Sequence, residues 1–261
     1  MSAPGWAIVT GASSGIGKAL AFEFAKGGFD LFLTGRNESA LREVAAECAK
    51  AYHVSTEVFS ADLSRMDSTD KLIAALSAKS RSYTALVNNA GFGIHGDFAS
   101  SDIDQEMQLL NVQLAAALKL TKAVLPSMIA NRNGRILIVS SVYGFAPVPH
   151  QSVYSACKSF LLSFSTSLRN ELEGTGVTVT VFCPGITMTQ FRDRAGISVK
   201  NRNSGMTAEA AAEIAYKATM RGKAVVVPGI PNRLFVFASR VLPGGFFAGV
   251  VRQINRVRGL S

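Results

Sequence analysis

A chain of 261 residues, 48% of them hydrophobic, is long enough for one α/β domain with a large core, which we expect to span residues 1–261. Its three cysteines (Cys48, Cys157 and Cys183) have neither disulfide nor metal-ligand spacing, so we expect reduced thiols, a cytoplasmic location and no metal site. The first predicted strand begins at Trp6, which leaves no room for a secretory signal peptide.

The first predicted unit is a strand, a glycine-rich loop and a helix. Trp6–Thr10 is a short apolar run typical of a buried parallel strand, and a helical pattern follows at 18–26. The loop between them reads Gly-Ala-Ser-Ser-Gly-Ile-Gly at 11–17, a G-x-x-x-G-x-G spacing. Glycines at such a turn let the backbone approach a pyrophosphate, whose charge meets the positive end of the helix. Any tight strand-to-helix turn also favours glycine, so the loop alone leaves dinucleotide binding open.

The second predicted strand, 30–34, runs into Gly35, Arg36 and Asn37. Arg36 stands where an acidic residue would hold the ribose 2′-hydroxyl of NAD. A guanidinium there suits a 2′-phosphate, which it can bind through paired N–H donors. The sequence therefore favours NADP over NAD, the alternative being a solvated loop arginine.

Strands and helices alternate along the rest of the chain. Further strands are predicted at 55–59, 85–88, 135–140, 178–182 and 224–227, and the longest helices at 104–131, where Pro126 interrupts the pattern, and at 152–173. This alternation predicts a doubly wound, Rossmann-type parallel sheet of about seven strands with helices on both faces. The glycine loop, Asp62, Asn88, Ser141 and Pro184 each follow a strand, so they should meet at one edge of the sheet.

A Tyr-x-x-x-Lys pair lies at the start of the second long helix. Residues four apart share a helix face, so Tyr154 and Lys158 should project into one site, with Ser141 thirteen positions before Tyr154. A nearby positive charge would lower the pKa of the phenol and make proton exchange feasible near neutral pH. Such a pair alone is more often an ordinary amphipathic contact, whereas its combination with the other motifs indicates catalysis.

Together these motifs resemble the short-chain dehydrogenase/reductase family. The match includes the loop beginning at Thr10, Asn88-Asn89-Ala90-Gly91 after the fourth strand, Asn111, Ser141, Tyr154, Lys158, and Pro184-Gly185 after the sixth strand. The resemblance implies that Tyr154 exchanges a proton with the substrate oxygen and that Lys158 holds the nicotinamide ribose. It implies that Ser141 positions the carbonyl and that Asn111 holds a water linked to Lys158. The cofactor site would comprise Gly11, Ser13, Ser14, Gly15, Ile16, Gly17, Arg36, Asp62, Leu63, Asn89, Ala90, Gly91, Tyr154, Lys158, Pro184, Gly185, Thr187 and Thr189.

The implied activity is NADP(H)-dependent interconversion of a ketone and a secondary alcohol, as in a carbonyl reductase. Apolar residues beside the motifs could wall a pocket for an apolar carbonyl substrate: Phe92, Ile94, Val142, Phe145, Met188 and Phe191. One alternative is a 3-oxoacyl thioester reductase. An alternative of another class is a non-catalytic NADP-binding redox sensor or scaffold, because fold alone does not fix function.

The net positive charge of the protein comes from the C-terminal part of the chain. Residues 1–190 hold fifteen basic and fifteen acidic side chains, whereas residues 191–261 hold twelve basic and three acidic ones and account for the net charge of +9. We expect 189–222 to form the substrate side and 231–261 a basic, apolar extension. In this extension, 233–259 should form short amphipathic helices, because Arg240 and the Pro-Gly-Gly break at 243–245 argue against a membrane span.

These helices could pack on their own domain or on a partner subunit, which is the interpretation we favour, or contact an anionic membrane peripherally. Nucleic acid is not expected, since aromatic and basic residues do not alternate as on a base-stacking surface. The long helices at 104–131 and 152–173 resemble the family's dimer-forming pair, so a homodimer or homotetramer is expected.

Overall fold

A seven-stranded parallel sheet lies at the centre of the protein, in a computed structural model that describes residues 4–191, 195–196 and 205–257. Its strands are β1 (Trp6–Thr10), β2 (Asp30–Gly35), β3 (Thr56–Ser60), β4 (Tyr83–Asn88), β5 (Gly134–Val139), β6 (Val177–Phe182) and β9 (Val225–Val226), in the spatial order β3-β2-β1-β4-β5-β6-β9. A separate pair, β7 (Thr187–Met188) and β8 (Met206–Thr207), lies beyond β6 along the chain. The predicted doubly wound parallel sheet is confirmed.

Helices cover both faces of this sheet. One face packs against α1 (Gly15–Lys26), α2 (Glu38–Tyr52) and α7 (Ala208–Met220), and the other against α3 (Met66–Ser77), α5 (Ala116–Ala130) and α6 (Ser152–Glu171). Successive strand residues point to opposite faces, so Ala7 and Val9 enter the first core and Ile8 the second. Because both of their faces are buried, the central strands β1 and β5 contain apolar runs, whereas β3 at the edge of the sheet is only partly buried.

The strand order reverses between β1 and β4, and the loops that follow these two strands meet there. Thr10 joins them. Its hydroxyl donates to the carbonyl oxygen of Val87 at 3.1 Å and accepts from the backbone N–H groups of Asn89 and Ala90, each at 3.0 Å. Such a reversal leaves a crevice outside the carboxyl ends of the strands, where ligands bind in folds of this kind.

The long helix predicted at 104–131 is interrupted at a different place from the one expected. It consists of α4 (Ile103–Leu110), a π-helical segment (Asn111–Ala115) and α5, which continues through Pro126 to Ala130. The span Ile103–Ala130 is long and apolar enough to cross a membrane by length and composition, but α5 packs against β4, β5 and α3. It is therefore a helix of the domain body, and its irregular turn lies at a predicted site residue, Asn111.

Two helices end the described chain, α8 (Ile230–Val241) and α9 (Gly244–Val257). Phe235 from α8 and Phe247 and Val251 from α9 pack against Ala146 and Val148, which follow β5. The expected amphipathic helices of 233–259 are thus present, although residues 258 and 259 lie outside the described part of the chain. In the expected substrate-side region, 192–194 and 197–204 also lie outside it.

Candidate active site

An open cleft of about 1430 Å³ runs along the carboxyl edge of the sheet. Single-ligand pockets usually measure about 300–1,000 Å³, so this cleft has room for a dinucleotide and a second molecule. The predicted cofactor residues all line it: Gly11, Ser13, Ser14, Gly15, Ile16, Gly17, Arg36, Asp62, Leu63, Asn89, Ala90, Gly91, Tyr154, Lys158, Pro184, Gly185, Thr187 and Thr189. Ser141 lines it as well.

The glycine loop after β1 has the geometry of a phosphate-binding turn. Gly11 and Gly15 adopt φ values of 67° and 57°, in the left-handed region that favours glycine. A Cβ atom on Gly17 would lie 2.1 Å from the carbonyl oxygen of Gly11, so the loop closes only with glycine there. Helix α1 begins at Gly15 without an acidic residue in its first turn, so its positive end faces the cleft uncompensated. The backbone therefore fits a dinucleotide pyrophosphate.

Two loops beside the glycine turn carry the predicted adenosine-side residues. Arg36 is exposed at the cleft just after β2, and the side chain of Asn37 caps α2 by accepting from the N–H of Ala40 at 3.0 Å. Asp62 faces the cleft after β3, and its carboxylate accepts from the N–H and hydroxyl of Ser64 at 3.0 and 2.8 Å. Asp62 thus holds its own turn in shape, and its predicted adenine contact stays a prediction.

Three of the four predicted catalytic side chains, those of Ser141, Tyr154 and Lys158, line the cleft. Tyr154 and Lys158 are one turn apart on α6, and Ser141 follows β5 directly. The Ser141 hydroxyl accepts from the N–H of Tyr143 at 3.2 Å and interacts with the phenol of Tyr154. The Lys158 ammonium donates to the carbonyl oxygen of Val139 at 2.9 Å and lies 5.5 Å from the centre of the Tyr154 ring.

Helix α6 is fixed against the loop after β5 by two hydroxyl groups. Ser140 donates to the carbonyl oxygen of Lys158, and Ser159 donates to that of Gly144, each at 2.8 Å. These bonds hold the start of α6 in register with the segment that carries Ser141. The separation between the Ser141 hydroxyl and the Tyr154 phenol is therefore set by the surrounding backbone.

Burial, rather than charge, sets the pKa of Tyr154 in this structure. The phenol is 8% exposed, and its desolvation raises its pKa, while the hydrogen bond with Ser141 opposes the shift. The expectation of a lowered pKa is wrong here: the Lys158 ammonium donates to the carbonyl oxygen of Val139, and burial of the phenol determines the direction of the shift. Burial also lowers the pKa of Lys158 to about 8.

Asn111 is the one predicted catalytic residue that does not line the cleft. It begins the π-helical segment, and its side-chain amide donates to the carbonyl oxygen of Ser64 at 2.9 Å. Asn111 therefore connects the long helix to the loop after β3, which carries Asp62. Its predicted role toward a water and Lys158 stays a prediction.

The substrate side of the cleft combines predicted and unpredicted residues. Phe92, Val142 and Phe191 line it as expected, and the ring of Phe191 lies 5.6 Å from that of Tyr154. Ile94 packs beside Tyr154, whereas Phe145 lies under Arg240 and Met188 belongs to β7, outside the lining. The sequence did not predict Tyr143, Gln151, Asn232, Phe235, Val251, Ile254 and Asn255, which also line the cleft. Most of them come from α8 and α9, far from the motifs along the chain, so no local pattern could identify them.

Cys157, next to Lys158 in sequence, is a packing residue. Its side chain is buried with Leu109 and Tyr154, and burial raises the pKa of its thiol to about 11. Burial also raises the thiol pKa of Cys48 to about 11 and that of Cys183 to about 12. The described residues contain no cluster of three or more His, Cys, Asp or Glu side chains that could hold a metal ion.

Comparison with known proteins assigns the chain to a family. Residues 5–199 match the short chain dehydrogenase family model. A Xenopus laevis dehydrogenase/reductase SDR family member 7B is 31% identical over 255 residues, which cover 92% of this chain and 79% of the relative. A very-long-chain 3-oxoacyl-CoA reductase of Laccaria bicolor is 36% identical over 176 residues, 67% of this chain and 52% of the relative.

A solved structure shares both fold and sequence with the protein. A short-chain dehydrogenase from Sphingobium yanoikuyae in complex with NADPH superimposes with a TM-score of 0.82 at 30% identity, covering 95% of each chain. The family match covers all the strands that carry the cleft motifs, from the glycine loop to Pro184. The chain therefore belongs to the short-chain dehydrogenase/reductase family and is an oxidoreductase that acts on CH–OH and C=O groups.

Proposed function

We propose that the protein is an NADP(H)-dependent carbonyl reductase that interconverts an apolar ketone and a secondary alcohol. The observation that carries the proposal is that Ser141, Tyr154 and Lys158, all buried, line the same cleft as the glycine loop. A protein that only sensed or scaffolded through a bound dinucleotide would not need this proton-transfer arrangement.

The side chains divide the acid–base work among them. NADPH, when bound, supplies the hydride. Tyr154 gives its phenolic proton to the carbonyl oxygen, and Ser141 donates a hydrogen bond to the same oxygen, an effect that can contribute about 3 kcal/mol to transition-state stabilisation. Because burial raises the pKa of Tyr154, the phenol holds its proton at neutral pH, which suits the direction of reduction. Lys158 is placed one helical turn away, where its ammonium can hold a ribose hydroxyl.

The preference for NADP is supported by the electrostatics of the adenosine end of the cleft. Arg36 is exposed there, and no acidic side chain pairs with it among the described residues. Asn37, the next residue, is neutral and is used to cap α2. A ribose 2′-phosphate would therefore meet a guanidinium that no described carboxylate pairs with.

The apolar substrate is supported by the walls around Tyr154. Phe92, Val142, Phe191 and Phe235 line the cleft, and Gln151 and Asn255 add polar side chains. The second candidate, a 3-oxoacyl thioester, is favoured by the similarity to the Laccaria bicolor reductase and by the excess of basic residues after residue 190. Such a substrate would carry its reacting ketone on a long anionic carrier.

The test is NADPH oxidation with a panel that runs from small diketones through bulky apolar ketones to 3-oxoacyl thioesters. Tyr154→Phe removes one hydroxyl, so folding and cofactor binding should survive while kcat falls at least about 100-fold. The matched control is Tyr216→Phe, which removes a phenolic hydroxyl from α7, away from the cleft. A Tyr154→Phe protein that retained more than about one tenth of wild-type kcat would exclude this role. Turnover confined to thioesters would favour the second candidate.

A further inference from the structure

The outer face of α8 carries an apolar stripe that no described residue covers. Ile230, Leu234, Phe237 and Val241 are 72%, 62%, 67% and 64% exposed. Their spacing of four, three and four residues places them on one face of the helix. The opposite face supplies Phe235, which packs on the domain. The described fold therefore does not bury this stripe, and an exposed apolar patch of this kind is typical of an interaction surface.

The charge on the two helices has one sign. Residues 230–257 hold four basic side chains and no acidic one. Arg233 and Arg240 lie on α8 beside the stripe, and Arg252 and Arg256 are exposed on α9, on the side opposite Phe247. A surface that combines an apolar stripe with basic side chains is complementary to a partner that has an apolar core and a negatively charged outer layer.

We propose that α8 and α9 dock the protein on an anionic lipid surface. Helix α8 has twelve residues and is about 18 Å long, shorter than the roughly 30 Å hydrocarbon core, so it would lie in the interface and not span it. The stripe from Ile230 to Val241 enters the acyl boundary, and the arginines reach the phosphate groups with their long side chains.

Self-association through the same face is disfavoured by electrostatics. Two copies meeting at the stripe would bring two sets of Arg233 and Arg240 together with no acidic side chain on either helix to offset them. Like charges juxtaposed in an interface oppose association. A lipid headgroup layer presents the opposite charge, so the same arginines that oppose a dimer favour the membrane.

The test is co-sedimentation of the full-length protein with vesicles of phosphatidylcholine alone or with about one third phosphatidylserine, at low and high salt. Binding should require the acidic lipid and should weaken with salt without vanishing, because the apolar stripe also contributes. Arg252→Gln/Arg256→Gln should lower the partition coefficient about thirty-fold, and Phe237→Ser about ten-fold or more.

Matched variants distinguish the effect of this surface from that of a general change in the protein's charge or hydrophobicity. Arg221→Gln/Lys223→Gln removes the same charge just before the two helices, and Phe98→Ser removes a 58% exposed phenylalanine from another part of the fold. Both should bind vesicles nearly as the wild type does. Equal losses in these controls, or equal binding to neutral and acidic vesicles, would overturn the proposal. A Phe237→Ser protein with a smaller sedimentation coefficient and unchanged vesicle binding would assign the stripe to contacts between copies instead.

Discussion

The side-chain amine of Lys158 is buried at the edge of the sheet, where this burial lowers its pKa from 10.5 to about 8. Below pH 8 both the folded and the unfolded chain hold the proton, and the cost of burying the charge, roughly 3 kcal/mol, is present in full. Between pH 8 and 10.5 the unfolded chain binds more protons than the folded one, so this cost declines as the pH rises. Lys158 therefore opposes folding most strongly at neutral and lower pH, and its proposed role requires the ammonium group at neutral pH.

Replacing Lys158 should consequently stabilise the protein while it inactivates the enzyme. We expect Lys158→Met to raise the free energy of unfolding at pH 7 by about 2 kcal/mol, since the lost hydrogen bond to Val139 offsets part of the gain. The difference from wild type should narrow toward pH 10, whereas Lys223→Met, an exposed control, should show no such gain. Urea unfolding of all three proteins across pH 7–10 measures this. A Lys158→Met protein less stable than wild type at pH 7 would contradict the argument.

Arg36 is expected to decide which dinucleotide binds. A charge-assisted hydrogen bond contributes about 1.5–3 kcal/mol, so NADPH should bind roughly ten- to hundred-fold more tightly than NADH. Arg36→Asp should reverse this preference, because the carboxylate repels the 2′-phosphate and accepts from the free ribose hydroxyl. Fluorescence titration with both cofactors measures it, with Arg42→Gln on α2 as a control outside the cleft lining. Equal affinities in the wild type would refute the assignment.

The strands show how much of the fold could be predicted from the sequence. All seven predicted strands of the main sheet are present, with ends within two residues of those expected. The central strands β1 and β5 contain apolar runs, a signal that can be recognised in the sequence without any tertiary context. Pro126 did not predict the interruption of the long helix, since α5 continues through it. The actual interruption, the π-helical segment at Asn111–Ala115, has no recognisable sequence pattern.

Some features of the site depend on residues that are close in sequence, and others depend on tertiary packing. Glycine spacing and the Tyr154–Lys158 repeat are local patterns, and the residues of both line the cleft. The direction of the Tyr154 pKa depends on how deeply the phenol is buried, and the cleft walls at Phe235 and Asn255 depend on how α8 and α9 fold back. Neither can be read from residues that are adjacent in sequence.

Among the described residues, exposed apolar side chains lie on two well-separated pairs of elements. One pair is α8, with its stripe, and α9. The other pair is α4 and α6, where Ile103 and Met107 are 61% and 49% exposed and Phe160 is 42% exposed and stacked on Phe164. These helices contact each other and belong to the two long helical spans predicted to form a subunit interface. We expect the α4–α6 surface to be the homodimer contact.

The two surfaces should respond independently to mutation. Phe160→Glu places a carboxylate twice in a two-fold interface, once from each subunit, so it should shift the protein from dimer to monomer. Vesicle binding through α8 should persist in that variant, because Phe160 lies on a different element. Sedimentation velocity of wild type, Phe160→Glu and Phe237→Ser distinguishes these effects. A wild-type protein that sediments as a monomer at all concentrations, or a Phe160→Glu protein that remains dimeric, would show that this surface serves another purpose.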